Sequence, residues 1–534
     1  MTYSFENFEL DPVRAELRRD RTPVPIEPQV FDLLKLLVME RERVVTRQEI
    51  FAAIWGERIV SDAALSSRIR DARKAIGDDG ASQRLIKTVQ RRGLRFVGSV
   101  QEGPEPQSRA VPPPSAQASV ESADVLDRPA VAVLPFVCQS EDAQDRFFAD
   151  ALTDEIVAAL SAWRYFPVVS RAATLRYGEG SGEHDIAGMS GARYVLSGSF
   201  RKSGTRIKVL LAVTDTQNNQ QIWSQRINRD LEELVDLEEE IAAHVATLVA
   251  PELRGAEARR VMRRSAGDLT AWELAMRASW LIDQGAQADF ALAERLAAAA
   301  IERAPEWTLP YTLIAVAKFQ QAMLGFSGAD TSSAFAETLA AAKTALEIDH
   351  GAWIAHALTA VGELWTNNNH DRALLHVKRA IDLNPSAPMN YHFGGCITGF
   401  SGDPEAARAY QERLFRLDPV YPYAAVIEAD LGLWHMLDEE FPEATERLDR
   451  SHRWDPRYGR ALQRQIALAG LRGDSESAAS ATEKLRGLGL PIDANVIAAS
   501  YPFKNPAHGA LFLDGLHRAG LQGDGPVKKA AGRN

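Results

Sequence analysis

Cysteine is nearly missing from this sequence. Cys138 and Cys396 are the only two in 534 residues, and they lie far apart in apolar surroundings. That scarcity argues against a disulfide framework and for a reducing compartment. No Cys/His group has zinc-ligand spacing, so no metal is expected. Long apolar runs are also missing: none reaches the roughly 18 residues needed to span a bilayer. The amino-terminal MTYSFENFEL lacks the basic start and apolar core of a signal peptide, so a cytoplasmic location without a membrane partner is expected. Positive charge is in deficit, with 61 Lys/Arg against 72 Asp/Glu. Taken globally, that balance speaks against nucleic acid. It conceals an asymmetry, because the first 100 residues hold 18 Lys/Arg against 15 Asp/Glu, leaving 43 against 57 for the rest. Residues 84–95 carry Arg84, Lys87, Arg91, Arg92 and Arg95 with no acid.

The length implies about three domains. The clearest boundary is residues 101–127, rich in Pro, Ser, Ala and Glu without apolar period, which reads as a semi-extended linker. Residues 128–252 mix strand-like runs (AVAVLPF, YVLSGSF, RIKVLLAV, QIWSQRI) with helical stretches, the pattern of an α/β domain. Over residues 253–501 strand signals vanish and Ala-rich amphipathic helices repeat, followed by a weakly patterned tail, 502–534. Breakers recur at Ala304-Pro305, Asp349-His350, Asn384-Pro385, Asp418-Pro419 and Asp455-Pro456, with small residues at Ala293, Ala373, Ala407, Ala444 and Ala478. A period near 34 resembles tetratricopeptide repeats, where small residues let two antiparallel helices approach closely. Five or six such repeats would form an α-solenoid whose concave groove takes a protein or peptide.

In the first 100 residues, Val30, Leu33, Leu34, Leu37 and Val38 mark one face of a helix. Thr46-Arg47-Gln48-Glu49 has capping-box form and opens a second, short helix that includes Trp55. A third runs from Ser61 to Ile76. At 100° per residue Leu65, Ile69, Ala72 and Ile76 form its buried stripe, opposite Ala63, Ser67, Arg70, Asp71 and Lys74, with Arg68 and Arg73 on the two flanks and Ser66 beside Arg73. Small polar residues edged by cations suit a major groove, the centre reaching bases and the flanks phosphates. Residues 85–97 then read as a basic β-hairpin turning at Arg91-Arg92-Gly93.

Helix, spacing and hairpin together resemble the winged helix-turn-helix output domain of OmpR/PhoB-type regulators and CadC-like activators. That resemblance implies that Ala63, Ser66, Ser67, Arg68, Arg70 and Arg73, with Lys74 alongside, face DNA. It puts Thr88, Gln90 and Arg91, next to Arg92, at the backbone or minor groove, and Trp55 near a phosphate. Gln90, Leu94 and Asp71 depart from residues common in relatives. RPAVAVLPF, FFADALTDEIVAAL and ARYVLSGSFRKSGTRIKVLLAVTDTQNNQQIWSQRI resemble a TolB amino-terminal-like module, and the overall layout is similar to that of HilA-type activators.

The expected fold is multidomain and mainly α: an α+β winged helix, a middle α/β domain and a tetratricopeptide solenoid. The expected function is sequence-specific transcription regulation on double-stranded promoter DNA, with RNA polymerase as a further partner, a protein or peptide signal on the repeats, and homo-oligomer formation open. No catalytic residue or cofactor is expected. YGEGSGEH from Tyr177 lacks the Lys-Ser/Thr of a phosphate loop. Asp150, Asp154 and Glu155, like the acidic run from Asp230 to Glu240, read as solvated helix faces. The rivals are a cyclase-like nucleotide-processing enzyme and a protein-binding scaffold.

Overall fold

The computed structural model describes residues 2–11, 16–19, 22–24, 28–41, 43–46, 49–50, 62–78, 83–89, 93–98, 100–103, 128–138, 142–174, 192–203, 206–230, 237–264, 269–323 and 331–523. They belong to two compact units, Met1–Val120 and Glu121–Asn534.

The first unit opens with β1 (Thr2–Phe5), β2 (Phe8–Asp11), β3 (Glu16–Arg19) and β4 (Thr22–Val24), followed by α1 (Pro28–Met39), β5 (Val45–Thr46), α2 (Asp62–Ala75), β6 (Ile86–Val89), β7 (Gly93–Phe96) and β8 (Gln101–Gly103). β1 to β4 form an antiparallel meander, and β8 adds to its free edge through Tyr3 opposite Glu102. Residues 101–103, expected in the linker, are therefore strand; a local composition shift does not reveal a partner edge nearly 100 residues away. Alternation along β1 and β2 buries Tyr3, Phe5, Phe8 and Leu10. The apolar stripe of α1 is fully inside, with Leu33, Leu34, Leu37 and Val38 at zero exposure. Phe5 meets Phe96 edge to face at 5.0 Å, tying the meander to the second sheet, β5-β7-β6.

The second unit begins with an α/β segment: β9 (Ala130–Val133), β10 (Val137–Cys138), α3 (Ala143–Trp163), α4 (Arg171–Thr174), β11 (Ala192–Ser203), β12 (Arg206–Asp215), β13 (Gln220–Asp230) and α5 (Leu237–Met262). Long antiparallel β11, β12 and β13 form the sheet, β9 and β10 pair parallel to β11, and α3 packs on α5. Six antiparallel helix pairs follow: α6 (Ala271–Gln284) with α7 (Gln287–Arg303), α8 (Thr308–Met323) with α9 (Thr331–Ile348), α10 (Trp353–Asn367) with α11 (His370–Leu383), α12 (Pro388–Phe400) with α13 (Pro404–Leu417), α14 (Ala424–Leu437) with α15 (Phe441–Trp454), and α16 (Gly459–Arg472) with α17 (Ser475–Gly487). The helices α7, α9, α11, α13 and α15 end just before the five predicted breakers. The alanines predicted to permit close packing are at zero or 1% exposure.

The tail departs from its weak pattern. After the short α18 (Ala494–Ala499), α19 (Pro506–Arg518) buries Phe512 and Leu516 completely and closes the array against α16. Glycine allows that approach, since a Cβ on Gly470 would stand 1.9 Å from the Gly515 carbonyl oxygen. The α/β segment and the repeats share one continuous core, from Val131 to Leu521. Glu257, fully buried on α5, sits at their joint. It accepts from Tyr194 Oη at 2.6 Å, pairs with Arg193 and Arg260, and accepts from Trp272 Nε1 of the first repeat at 3.3 Å.

Candidate nucleic-acid interface

The interface elements are α2 and the β6–β7 hairpin, and buried polar contacts fix one to the other. Two residues past the end of α2 comes Gly77, whose φ of +65° is a left-handed conformation suited to glycine. The chain then presents Asp78, only 7% exposed. Its carboxylate accepts the backbone N–H of Arg84 at 2.8 Å, of Leu85 at 3.0 Å and of Ile86 at 2.8 Å. One buried acid thus satisfies three amides at the start of the hairpin and sets where β6 leaves the helix. Gly93 opens β7 with a φ of +150° so close to β5 that a Cβ would lie 2.0 Å from the Val45 carbonyl oxygen. The hairpin is therefore clamped at both strands.

Arg73 adds a third tie. From the last turn of α2, its Nη2 donates to the Ile86 carbonyl and to Thr88 Oγ1, both at 2.9 Å. Expected on a DNA-facing flank, Arg73 holds helix to hairpin with one nitrogen. Its partner Thr88 is exposed on β6 beside exposed Lys87. Arg70 and Lys74 are exposed along α2, Arg68 is half-buried, and exposed Arg95 donates through Nε to the Arg41 carbonyl at 3.1 Å. α2 also carries Ala63, Ser66, Ser67 and Asp71, whose side chains fall outside the description, while Trp55, Gln90, Arg91 and Arg92 lie outside the described residues.

The capping box forms as its sequence implied. Glu49 Oε2 accepts the Thr46 amide at 2.7 Å and the Thr46 hydroxyl at 2.8 Å, and Arg43 Nη1 meets Glu49 Oε1 at 2.7 Å. Those bonds from Thr46, then Arg43, pull the Glu49 carboxyl down to about 2. Sequence reasoning missed Asp78 and the brace role of Arg73. The Gly-Asp pair after the basic helix was the available signal for the first.

Elsewhere, Asp150 and Asp154 on α3 both engage Arg171, at 2.8 and 3.1 Å, so these acids face a local cation. The Gly-rich stretch from Tyr177 and residues 231–236 of the acidic run lie outside the described residues. No group of three or more His, Cys, Asp or Glu suited to a metal occurs among the described residues. No described helix is long and apolar enough to cross a membrane.

The inner helices of the repeats meet across the array rather than lining an open trough. Gln320 of α8 donates to Tyr423 Oη at 2.9 Å, Phe319 meets Phe393 at 5.1 Å, and Arg460 of α16 lies over the Trp365 ring of α10 at 5.5 Å. The cavity left among these side chains measures ≈ 70 Å³. A peptide laid in the concave groove, as the repeat period suggested, would meet a space largely filled by the protein's own aromatic rings.

An N-terminal meander, a basic helix and a clamped hairpin define a winged-helix module of the kind that binds duplex DNA. Comparison with known proteins agrees: residues 21–96 match the family "Transcriptional regulatory protein, C terminal", and residues 127–244 match "HilA/YgeH-like transcriptional regulator, second domain". The chain thus carries the DNA-binding domain of a transcription regulator and, behind it, a HilA-type second domain. It is 22% identical over 508 residues to the transcriptional regulator HilA of Salmonella typhi, covering 93% of this chain and 85% of that protein. It is 30% identical over 92 residues to the phosphate regulon transcriptional regulatory protein PhoB of Escherichia coli, covering 17% of this chain and 40% of PhoB. A protein of Rhizobium meliloti named "Putative adenylate cyclase 3" is 25% identical over 261 residues, 49% of this chain; the alignment spans only 44% of that relative.

Proposed function

We propose that the protein is a cytoplasmic, sequence-specific transcription regulator that reads double-stranded promoter DNA with α2 and steadies itself on the duplex with the β6–β7 hairpin. The observation that supports this reading is the Asp78 clamp, three backbone hydrogen bonds that hold a basic helix and a basic hairpin in one orientation. In this reading Arg70 meets a base or phosphate at the centre of the exposed face, with Ala63, Ser66 and Ser67 at base edges and Arg68, Lys74 and the hairpin cations Arg91 and Arg92 at phosphates. Trp55, Thr88 and Gln90 complete the backbone contacts, and Arg73 works mainly as a positioning residue.

The protein acts by binding, not catalysis, with RNA polymerase as its downstream partner. The second unit receives a signal, including a protein or peptide on the outer surfaces of the repeats. Two copies brought together by such a partner would gain affinity through effective concentration. No cyclase activity is carried over from the Rhizobium relative. The test is a mobility-shift titration of the full chain on duplexes it selects from a random pool, run from 50 to 200 mM salt. Sequence-selective binding with a steep salt slope is expected, and Arg70→Ala should cost on the order of 1–3 kcal/mol if Arg70 reads a base. Binding indifferent to both salt and sequence would reject the reading.

A further inference from the structure

A second cavity, ≈ 590 Å³, lies where the α/β segment meets the first repeats. Its size falls within the few hundred to about 1,000 Å³ typical of small-molecule sites. One wall is the end of α3, where the backbone turns at Arg164 with a φ of +61°. A non-glycine residue held in that left-handed region is strained, and such positions cluster at ligand clamps and switch regions. The opposite wall is the pair of turns after α7 and α9, around Trp307 and Trp353.

Four aromatic residues, Trp163, Tyr165, Trp307 and Trp353, contribute to the lining beside aliphatic Leu309, Ile348 and Ile354. Trp163 stands edge to face with Trp353 at 5.6 Å and tilted against Tyr165 at 6.0 Å, and Trp307 completes the set. These rings are held by other contacts: Trp163 Nε1 donates to Ser386 Oγ at 3.0 Å, and Arg254 covers the Tyr165 ring. The rings are thus pre-set surfaces, suited to a flat, apolar body.

The charged lining is unbalanced. Arg128, Arg164 and Arg303 face Glu306 and Asp349, an excess of one positive charge. Arg164 is satisfied, its Nη2 lying 2.6 Å from Asp349 Oδ2. Arg128, half-buried just before β9, forms no hydrogen bond or ion pair among the described residues. Burial, and secondarily the nearby Arg164, push its guanidinium below its ordinary range. A cation withdrawn from water beside another cation is costly unless an anion comes to it. A single surplus charge matches a monoanion better than a doubly charged phosphate.

We propose that this cavity binds a small aromatic carboxylate, its ring between the tryptophan and tyrosine walls and its carboxylate on Arg128. Neither the DNA reading nor the groove of the repeats is required. The ligand would touch Arg128, just before β9, and the end of α3 on one side and the first three helix pairs on the other, so it would act as a small-molecule input to the second unit.

The experiment is calorimetric titration of the full chain with benzoate and indole-3-acetate, with benzamide and indole-3-acetamide as neutral counterparts, acetate as the ringless anion, and adenosine monophosphate as a ringed phosphate. Saturable binding of at least one aromatic carboxylate is expected, at least tenfold tighter than its amide, acetate or the nucleotide. Arg128→Gln should abolish that preference for the anion, and Arg128→Lys should keep part of it. Because Arg128 has no partner to lose among the described residues, Arg128→Gln should melt no lower than the parent chain, which separates lost binding from lost folding. Absence of saturable binding by both carboxylates, equal affinity for the amides, tighter binding of the nucleotide, or binding by Arg128→Gln within twofold of the parent would overturn the proposal.

Discussion

Arg73 offers the sharpest test of how the winged helix is built. A helix-face reading makes it a DNA contact, whereas in the structure its Nη2 bridges the Ile86 carbonyl and Thr88 Oγ1. Hydrogen bonds from a charged donor contribute about 1.5–3 kcal/mol each when well shielded. Thr88 is exposed, so the pair together should stabilise the helix–hairpin junction by about 2 kcal/mol, a sizeable part of the 5–15 kcal/mol typical of a domain. Arg73→Ala should therefore speed hydrogen exchange of the β6 amides, and Thr88→Val should do so more weakly, because it removes only the solvent-exposed one of the two bonds, worth roughly 0.5–1.5 kcal/mol. DNA affinity of Arg73→Ala should fall several-fold while the salt slope stays as in the parent, since no phosphate contact is lost. A lost phosphate contact would instead lower the slope by about 0.9. Unchanged exchange in β6 together with a slope reduced by about one would refute the brace and return Arg73 to the DNA surface.

Three further outcomes follow from buried contacts in the second unit. Asp430→Asn should destabilise it by about 3–5 kcal/mol by leaving Arg464, 2.7 Å away and equally buried, without its counter-charge; in a melting experiment, the double change Asp430→Leu with Arg464→Met should recover much of that loss. Gly470→Ala would put a Cβ within 1.9 Å of the Gly515 carbonyl, so overpacking of about 1–3 kcal/mol or more should appear first as faster exchange in α19, and protection equal to the parent would contradict the close approach. Burial lowers His392 and His376 to about 4. Both are neutral in either state above about 6.5, but between 6.5 and 4 the unfolded chain takes up protons that the native state refuses, so stability falls as pH drops through that window, by at most about 1.4 kcal/mol per unit for each histidine. His392→Gln should flatten that slope in urea titrations from pH 7 to 5; a slope identical to the parent would count against the burial.

Much of this fold was legible because its signals are local. The stripe of α1 repeats at 3.6 residues, the breakers after the first five helix pairs are Asp-Pro or its variants, and Ala373, Ala407 and Ala444 sit where a larger side chain would push two helices apart. What escaped was decided by distant partners. Gln101 to Gly103 carry no strand pattern and become strand only because β1 offers a free edge. α19 buries only Phe512, Gly515 and Leu516, and its docking depends on glycines 45 positions apart in sequence. At the candidate interface the helix face could be computed from angles alone, but the commitment of Arg73 to the hairpin could not, because it depends on where β6 leaves Asp78. The two arginines that meet at the Trp163 cavity likewise belong to segments separated in sequence by all of β9, β10 and α3.

Two separate cores predict two unfolding transitions, and a ligand should move only the one whose core it touches. In the second unit, the sheet of β11 to β13, the joint at Glu257 and the repeats are continuous in packing down to Leu521. Disturbing any part of that core should be felt through the whole, as expected where neighbouring repeats stabilise one another. An aromatic carboxylate at one hundred times its dissociation constant would add about 2.7 kcal/mol to that unit and nothing to the first. Scanning calorimetry of the full chain should accordingly show the second-unit transition rising by a few degrees with ligand while the winged-helix transition stays put, and Arg128→Gln should remove the shift. Both transitions moving together would mean that the ligand also acts on the first unit, and a single transition in the free chain would mean that the two cores do not unfold independently.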